Sequence, residues 1–304
     1  MAGSVAVRLI TFDKEDRAVL GVRRGDEIVD LSVAAPWLPQ PLIPLLTAGE
    51  TAVQQVKAAV ARAPARAVVS LNDITYLPVV PQPSKILCLG LNYADHAGEH
   101  NMKRPACPVV FARFATSLVA HRAPLIRPAS SEQFDYEGEL AVIIGKRGRN
   151  IPQDKALSFV AGYSIFNDGS IRDYQFKTPQ WTMGKNFDGT GGFGPECVTS
   201  DELPSGAGGL RIQTRLNGAI MQDANTKDMF FDVATTIAFI SQALTLQIGD
   251  VLVMGTPGGV GWARKPPVFL KPGDVCEVEI ESIGTLINPI ASAVEADPPV
   301  KGGR

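Results

Sequence analysis

The stretch FDYEGELAVIIG, residues 134–145, decides the fold, because it reads as a buried strand that begins with two carboxylates. Glu137 and Glu139 stand at positions i and i+2, which share one face of a strand, and like charges on one face repel. Residues 140–144 are all apolar, which is typical of a strand buried on both faces. Either the two side chains lie on a solvated face, or a hard divalent cation beside them offsets their repulsion.

A metal ion at this strand needs a third oxygen ligand from elsewhere in the chain. Asp168, at the end of the next strand-like run in IFNDGS, is the best-placed candidate, although Asp-Gly is also a common turn. Three carboxylates without a neighbouring cysteine favour Mg²⁺ or Mn²⁺ over Zn²⁺. The chain contains only three histidines, His96, His100 and His121, which nearly excludes a His-rich zinc or copper site.

The composition is that of a soluble globular protein, with 304 residues, 45% hydrophobic, 20% charged and a formal net charge of −2. A near-neutral chain gives no electrostatic reason to bind nucleic acid or an anionic membrane. No apolar run reaches the roughly 18–20 residues of a membrane span, and residues 1–16 lack the pattern of a signal peptide. We therefore expect a cytoplasmic location, with four cysteines as free thiols, Cys88, Cys107, Cys197 and Cys276.

The N-terminal region predicts a small α+β unit. Residues 5–11 and 17–23 predict a hairpin followed by a short strand, and residues 50–62 are rich in helix formers. Three prolines within residues 77–85 forbid regular structure and mark a linker. We predict four regions, namely a small N-terminal domain over 1–77, a proline-rich linker over 78–84, a catalytic domain over 85–292 and a flexible tail over 293–304.

The rest of the chain is rich in strand patterns. Residues 211–222 contain Asn217-Gly218 between strand-like flanks, a strong hairpin signal. Residues 232–244 form the one long apolar helix pattern, with Asp232 as the N-cap. Many strands with few helices predict an α+β domain with a curled, mostly antiparallel sheet.

Residues 92–100, NYADHAGEH, place His96 and Glu99 three positions apart. On a helical turn these side chains are neighbours, so Glu99 can orient the imidazole as a general base requires. The alternative is a surface histidine near a glutamate. The segment's Gly98 and polar content indicate a mobile stretch rather than core.

Two glycine-rich stretches come later. Lys185 lies in MGKNFDGTGGFGP, a loop pattern where the backbone can approach a ligand, although a surface lysine is the ordinary interpretation. The GxGxxG inside it, Gly189 to Gly194, follows a polar loop and precedes a proline, which excludes a dinucleotide site. In MGTPGGVG, Thr256 and nearby N–H groups can hold a carboxylate, or the stretch is a tight structural turn.

Taken in order, these motifs resemble those of the fumarylacetoacetate hydrolase superfamily. The resemblance covers roughly residues 85–290 and rests on six motifs, which are NYxxHxxE from Asn92, FDYEGELAVxIG from Phe134, GYxxxNDxSxRDxQ from Gly162, GKxFDxxxxxGP from Gly184, GTPxGVG from Gly255 and FLKPGD from Phe269. It implies a mixed β-roll catalytic domain behind a variable N-terminal domain, usually in a homodimer. It also implies that Mg²⁺ or Mn²⁺ binds through Glu137, Glu139 and Asp168.

The resemblance further implies roles for individual side chains. His96 and Glu99 match the acid/base dyad, and Lys185 matches a residue that binds substrate and stabilises charge. Three more residues match positions that contact the oxo-acid end of the substrate, and they are Arg172, Gln175 and Thr256. Arg113 stands where relatives commonly have lysine; its planar fork binds carboxylates differently from a point charge, so we expect substrate selection to differ there.

The parts together predict a metal-dependent hydrolase that cleaves a C–C bond in a 2,4-diketo acid through a metal-stabilised enolate. His96 activates the water in this scheme, and Lys185 supplies charge where negative charge develops. The alternatives are a decarboxylase of oxaloacetate or a related 2-oxo acid, and an isomerase or hydratase of such acids. A non-catalytic metal-binding scaffold predicts loss of some of these residues, and the main ones are all present.

Overall fold

The structure is a computed structural model that describes residues 7–94 and 104–293. Five N-terminal strands come first, and they are β1 (Arg8–Lys14), β2 (Arg17–Arg24), β3 (Glu27–Asp30), β4 (Val68–Ser70) and β5 (Thr75–Tyr76). Three helices lie between β3 and β4, and they are α1 (Leu31–Ala34), α2 (Leu42–Thr47) and α3 (Glu50–Ala61). The predicted hairpin is therefore β1–β2, with only its first strand shifted by about three residues, and the helix expected over 50–62 is α3.

Strands also dominate the remainder of the described chain. They are β6 (Ile86–Gly90), β7 (Val109–Arg113), β8 (Leu118–Val119), β9 (Leu125–Arg127), β10 (Phe134–Asp135), β11 (Gly138–Ile144), β12 (Val160–Asp168), β13 (Ser170–Ile171), β14 (Gly191–Thr199), β15 (Arg211–Leu216), β16 (Ala219–Asn225), β17 (Val251–Val253), β18 (Val275–Ile280) and β19 (Gly284–Ser292). Three helices accompany them, and they are α4 (Arg172–Gln175), α5 (Thr182–Lys185) and α6 (Val233–Ala243). The Asp232 side chain accepts a hydrogen bond from Thr235 N at 2.7 Å, as expected of the N-cap of α6.

The strands form two main sheets. The larger one has the order β4-β3-β2-β1-β14-β12-β11-β17-β6-β7, with β5 added to β1 and β8 to β14. The second sheet has the order β16-β15-β18-β19-β9, and β10 pairs with β13. Most neighbours are antiparallel, while β17–β6, β14–β8 and β19–β9 are parallel. The predicted α+β class, with much sheet and few helices, is confirmed.

The N-terminal strands continue the same sheet as the rest of the chain. Strand β1 pairs with β14, and Leu9 lies opposite Cys197. The stretch 77–85 has no regular structure, as the prolines predict, yet Val79 and Val80 are fully buried in the core. The domain boundaries stay a prediction, and of the predicted tail all but residue 293 lies outside the described residues.

Strand β11 lies in the middle of the large sheet and decides where the site is. It pairs with β12 along one edge and with β17 along the other. All seven residues of β11 are buried, and alternate residues enter two hydrophobic cores on opposite faces of the sheet. The expectation of a strand buried on both faces is confirmed.

The glycine-rich stretch 183–195 differs from the predicted loop. Lys185 is the last residue of the short helix α5, and residues 191–195 begin the buried strand β14 between β1 and β12. Glycine is depleted in strands, which explains the error. The glycines allow close approach: a Cβ at Gly191 would lie 2.7 Å from Arg113 Nη2.

Within residues 7–94 and 104–293, no helix is both long and apolar enough to cross a membrane.

Candidate active site

Three carboxylates meet where β11 begins and β12 ends. Glu137 precedes β11, Glu139 lies within it, and Asp168 is the last residue of β12. One oxygen from each lies within 4.8 Å of the others. The three residues are 4%, 1% and 0% exposed, respectively. The alternative of a solvated strand face is therefore wrong, and the acidic cluster lies inside the protein as the metal interpretation predicts.

Three buried basic side chains surround this cluster. Lys185 Nζ donates to Glu137 Oε2 at 2.7 Å and to Asp168 Oδ2 at 2.6 Å. Arg113 Nη1 donates to the other Asp168 oxygen at 2.5 Å. Arg172 Nη1 pairs with Glu137 Oε1 at 2.7 Å. Burial alone would lower the pKa of Lys185, but the carboxylates of Asp168 and Glu137 outweigh it and raise that pKa, so the ammonium stays charged.

A fourth buried carboxylate, Asp135, holds Arg172 in place. Arg172 Nε donates to Asp135 Oδ2 at 2.8 Å, and Asp135 also accepts from the backbone N–H groups of Gly261 and Trp262 at 2.8 and 2.9 Å. Asp135 is fully buried. Sequence reasoning missed this residue, although its position two before Glu137 in the same buried motif was a signal that could have found it.

The seven charged side chains of this cluster do not balance. Four are acidic and three basic, which leaves one negative charge in excess when all are ionised; they are Asp135, Glu137, Glu139, Asp168, Arg113, Arg172 and Lys185. Within the described residues no ion pair reaches Glu139, whose Oε2 accepts from Gly255 N at 2.6 Å. Burial, together with the charges of Asp168 and Glu137, raises the pKa of Glu139 well above its usual range.

This donor set fits a divalent cation. Oxygen ligands are what Mg²⁺ and Mn²⁺ prefer, and a cation would offset the repulsion that raises the pKa of Glu139. Glu137, Glu139 and Asp168 are the residues that would hold it. No other group of three or more potential metal-ligating side chains occurs in the part of the chain that the structure describes.

A cavity of about 380 Å³ opens beside the acidic cluster. Its polar wall contains Glu137, Glu139, Arg172, Gln175, Lys185 and Thr256. The lining also has an apolar part, where the rings of Phe111 and Trp181 pack edge to face with centroids 5.5 Å apart. Gly90 lies so close to the indole of Trp181 that a Cβ at this position would overlap the ring. The cavity suits a small molecule with a charged end and a short apolar part.

Of the other residues predicted to contact substrate, Gln175 and Thr256 line the cavity and Arg113 does not. Gln175 Oε1 accepts from Arg172 Nη1 at 2.9 Å, which leaves its amide –NH₂ for a ligand. Thr256 Oγ1 donates to Gly138 O at 2.9 Å. Arg113 lies behind Asp168, with further hydrogen bonds to Gly169 O, Thr190 and Ser117 at 3.1, 2.9 and 3.2 Å, and it does not line the cavity.

The structure thus brings together the three predicted metal ligands, Lys185 and the two arginines, with Gln175 and Thr256 on the cavity wall. His96 and Glu99 lie outside the described residues. The roles of all these residues stay predictions. Besides Asp135, sequence reasoning missed Gln222, whose amide contacts both Gly138 and Thr256; no local pattern marks it.

Comparisons with known proteins agree with this geometry. Residues 85–291 match the family described as fumarylacetoacetate (FAA) hydrolase C-terminal. A mitochondrial oxaloacetate tautomerase from Rattus norvegicus is 41% identical over 289 residues, covering 93% of this chain and 91% of the relative.

Two solved structures share the fold and cover 94% of this chain and 99% of their own. Fumarylacetoacetate hydrolase from psychrophilic Exiguobacterium antarcticum has 35% identity and a TM-score of 0.80. Maleylpyruvate hydrolase from Sphingobium sp. SYK-6, in complex with manganese(II) ion and pyruvate, has 28% identity and a TM-score of 0.78. The predicted fold of the fumarylacetoacetate hydrolase type is confirmed, and the protein is an enzyme of this superfamily. The chain belongs to the fumarylacetoacetate hydrolase family.

Proposed function

We propose that the protein is a metal-dependent enzyme that interconverts the enol and keto forms of oxaloacetate or a closely related 2-oxo dicarboxylate. The observation that carries the proposal is the buried cluster of three carboxylates with oxygens within 4.8 Å of one another, beside a cavity of about 380 Å³. The rat relative named as an oxaloacetate tautomerase, similar over 93% of this chain, supports the choice of reaction.

Mg²⁺ or Mn²⁺, held by Glu137, Glu139 and Asp168, would supply the Lewis acidity that stabilises the negative charge of an enolate. Lys185 adds a fixed positive charge at the same place, because its ammonium is bound to Glu137 and Asp168 and stays protonated. Since this ammonium is already charged, Lys185 acts as an electrostatic group and not as a base.

Arg172 and Gln175 orient the substrate in this proposal. Arg172 is fixed by Asp135 and lines the cavity together with the Gln175 amide, so both present donors to a carboxylate or keto oxygen. Tautomerisation moves one proton from the oxygen on C2 to C3. His96, oriented by Glu99, is the predicted carrier of that proton. The apolar side with Phe111 and Trp181 limits access of water to the reacting carbon.

The C–C hydrolase of a 2,4-diketo acid is the second candidate. It uses the same enolate, and the structural neighbours named as fumarylacetoacetate and maleylpyruvate hydrolases favour it. Hydrolysis differs in one requirement, an activated water, which the predicted His96–Glu99 dyad would provide. Decarboxylation of oxaloacetate needs the enolate but no water.

One experiment separates the three reactions. Purified protein with Mn²⁺, Mg²⁺ or EDTA is mixed with enol-rich oxaloacetate, and the ultraviolet absorbance of the enol is followed while pyruvate is assayed in the same sample. Acetylpyruvate is tested in parallel for release of acetate and pyruvate. Metal-dependent loss of enol without pyruvate supports the tautomerase. Acetate release from acetylpyruvate without faster tautomerisation of oxaloacetate would assign the protein as a hydrolase. Pyruvate release from oxaloacetate would assign it as a decarboxylase.

Assembly and location are also proposals. We propose a homodimer, as the family resemblance implies, which light scattering of the purified protein tests directly. The cytoplasmic location predicted from the sequence is kept as a proposal, although the rat relative is named as mitochondrial.

A further inference from the structure

Gly138, the residue between Glu137 and Glu139, lies opposite Asn167 of β12, but its own N–H and C=O bond to side chains on the other edge of β11. On the β12 side, Asp168 N donates to Glu137 O at 2.8 Å. On the opposite edge, Gly138 N donates to Gln222 Oε1 at 3.0 Å, and Gly138 O accepts from Thr256 Oγ1 at 2.9 Å.

The need for these side chains follows from the path of β17. That strand pairs with β11 only at Ala141–Ile143, and Met254 N then donates to Leu140 O at 3.0 Å. The next N–H, of Gly255, turns to the Glu139 carboxylate. The edge of β11 at Gly138 is therefore left to Gln222 and Thr256, since a buried backbone N–H or C=O must find a partner.

Gln222 comes from the second sheet and has its full set of hydrogen bonds. Its Oε1 also accepts from Thr214 Oγ1 at 2.6 Å, and its Nε2 donates to Thr256 Oγ1 and Pro257 O, both at 2.8 Å. Two donors and two acceptor sites are all that a carboxamide offers. The side chain is 1% exposed, so this one amide connects β11, the turn after β17 and the second sheet without competition from bulk water.

We propose that Gln222 is a positioning residue for the metal centre: its amide fixes Gly138 and thereby the relative placement of the Glu137 and Glu139 carboxylates. Gly138 is required for the same contact, because a Cβ there would overlap the Thr214 hydroxyl. The inference rests on the metal centre of the proposed function and adds a residue that does not itself touch metal or substrate.

The test is the affinity for Mn²⁺, measured by the electron paramagnetic resonance signal of free Mn²⁺, in wild type, Gln222→Met and Gln213→Met. The Met variant at 222 keeps volume and removes all four hydrogen bonds. Gln213 is the matched control, because it is a buried glutamine of the same hairpin whose amide instead donates to Asp223 Oδ2 at 3.1 Å. Thermal unfolding in EDTA is recorded for all three proteins.

We expect Gln222→Met to raise the Kd for Mn²⁺ by about 10–100-fold, the usual effect of losing a partner that orients metal ligands, and Gln213→Met to leave it within about twofold. Equal Kd values for wild type and Gln222→Met, with a lower Tm, would overturn the inference, since a merely structural role lowers Tm alone. Wild type that binds no Mn²⁺ would instead refute the proposed function. If Gln222→Met does not fold, Gln222→Asn, whose amide is withdrawn by one bond, is measured with the same expectations.

Discussion

Replacing Glu139 by glutamine removes one negative charge from the acidic cluster and keeps an oxygen that can accept the Gly255 N–H. We predict that Glu139→Gln stabilises the protein in EDTA and abolishes the stabilisation that Mn²⁺ gives the wild type. The reason is that the basic side chains of the cluster pair with Glu137 and Asp168, while Glu139 has no ion pair among the described residues and is repelled by both of these carboxylates.

The size of the effect follows from the distances. The three carboxylate oxygens lie within 4.8 Å of one another, and unit charges at that separation repel by about 3.5 kcal/mol at an effective dielectric constant of about 20. Glu139 has two such neighbours, and the Lys185 ammonium offsets about one of the two repulsions. Proton uptake by Glu139 and the weaker hydrogen bond to an amide oxygen reduce the remainder to about 1–2 kcal/mol, which is a few degrees in Tm.

Scanning calorimetry in EDTA and in Mn²⁺ measures both parts of the prediction. Mn²⁺ at about 100 times its Kd should stabilise the wild type by about 2.7 kcal/mol and the variant by much less. Glu196→Gln is the matched control, because Glu196 is fully buried but paired with Arg8 and Arg23 at 2.8 and 3.2 Å. It should destabilise the protein and keep the response to Mn²⁺. A Glu139→Gln variant that loses stability in EDTA, or that Mn²⁺ still stabilises fully, would refute the reasoning.

Three further predictions concern Lys185, Gly90 and His121. Lys185→Met should lower kcat by about 10²–10³-fold through lost charge stabilisation, while Mn²⁺ binds at least as tightly as to the wild type. A loss of Mn²⁺ affinity in a titration of the variant would contradict this role. Gly90→Ala should displace the Trp181 indole, change its fluorescence and raise KM about tenfold; an unchanged KM would remove the indole from the substrate site. Burial, with the charges of Arg122 and Arg23, lowers the pKa of His121 from 6.5 to about 4. The unfolded chain therefore takes up the proton at a higher pH than the folded protein, so the free energy of unfolding should fall by about 3 kcal/mol as the pH drops from 6.5 to 4. The Tm of His121→Gln should depend less on pH than that of the wild type. Equal slopes of Tm against pH in the two proteins would exclude His121 as the cause.

The sequence allowed prediction of the acidic cluster because charge inside an apolar strand is locally visible. Glu137 and Glu139 are two residues apart in one buried run, and Asp168 ends the next strand, so antiparallel pairing of β11 and β12 brings them together. The alternation of side chains between the two faces of a strand, together with the free-energy cost of burying charge, is enough for that inference. The family resemblance then supplied Lys185, Arg172 and Gln175, which local patterns alone could not distinguish from surface residues.

Contacts between distant parts of the chain were beyond such reasoning. Gln222 lies 84 residues from Gly138 and on another sheet, and its own neighbourhood reads as an ordinary hairpin strand. The start of β14 was missed because its first residues are mostly glycine, a composition that indicates a loop. Gly191 is explained by the Arg113 guanidinium, which packs directly against it to reach Asp168, and a Cβ at Gly192 would approach the Asn288 side chain to 2.6 Å.

The charge count of the cluster also relates the metal to the substrate. When all seven groups are ionised, the cluster without metal carries one negative charge in excess and would repel the anion of the proposed 2-oxo acid substrate. A bound divalent cation reverses the sign and leaves one positive charge in excess. Under the proposed function we therefore expect the cation to bind before the anionic substrate. A neutral side chain in place of one of the carboxylates would balance the cluster without a cation, so the two glutamates side by side in a core strand are what makes its charge depend on a bound metal.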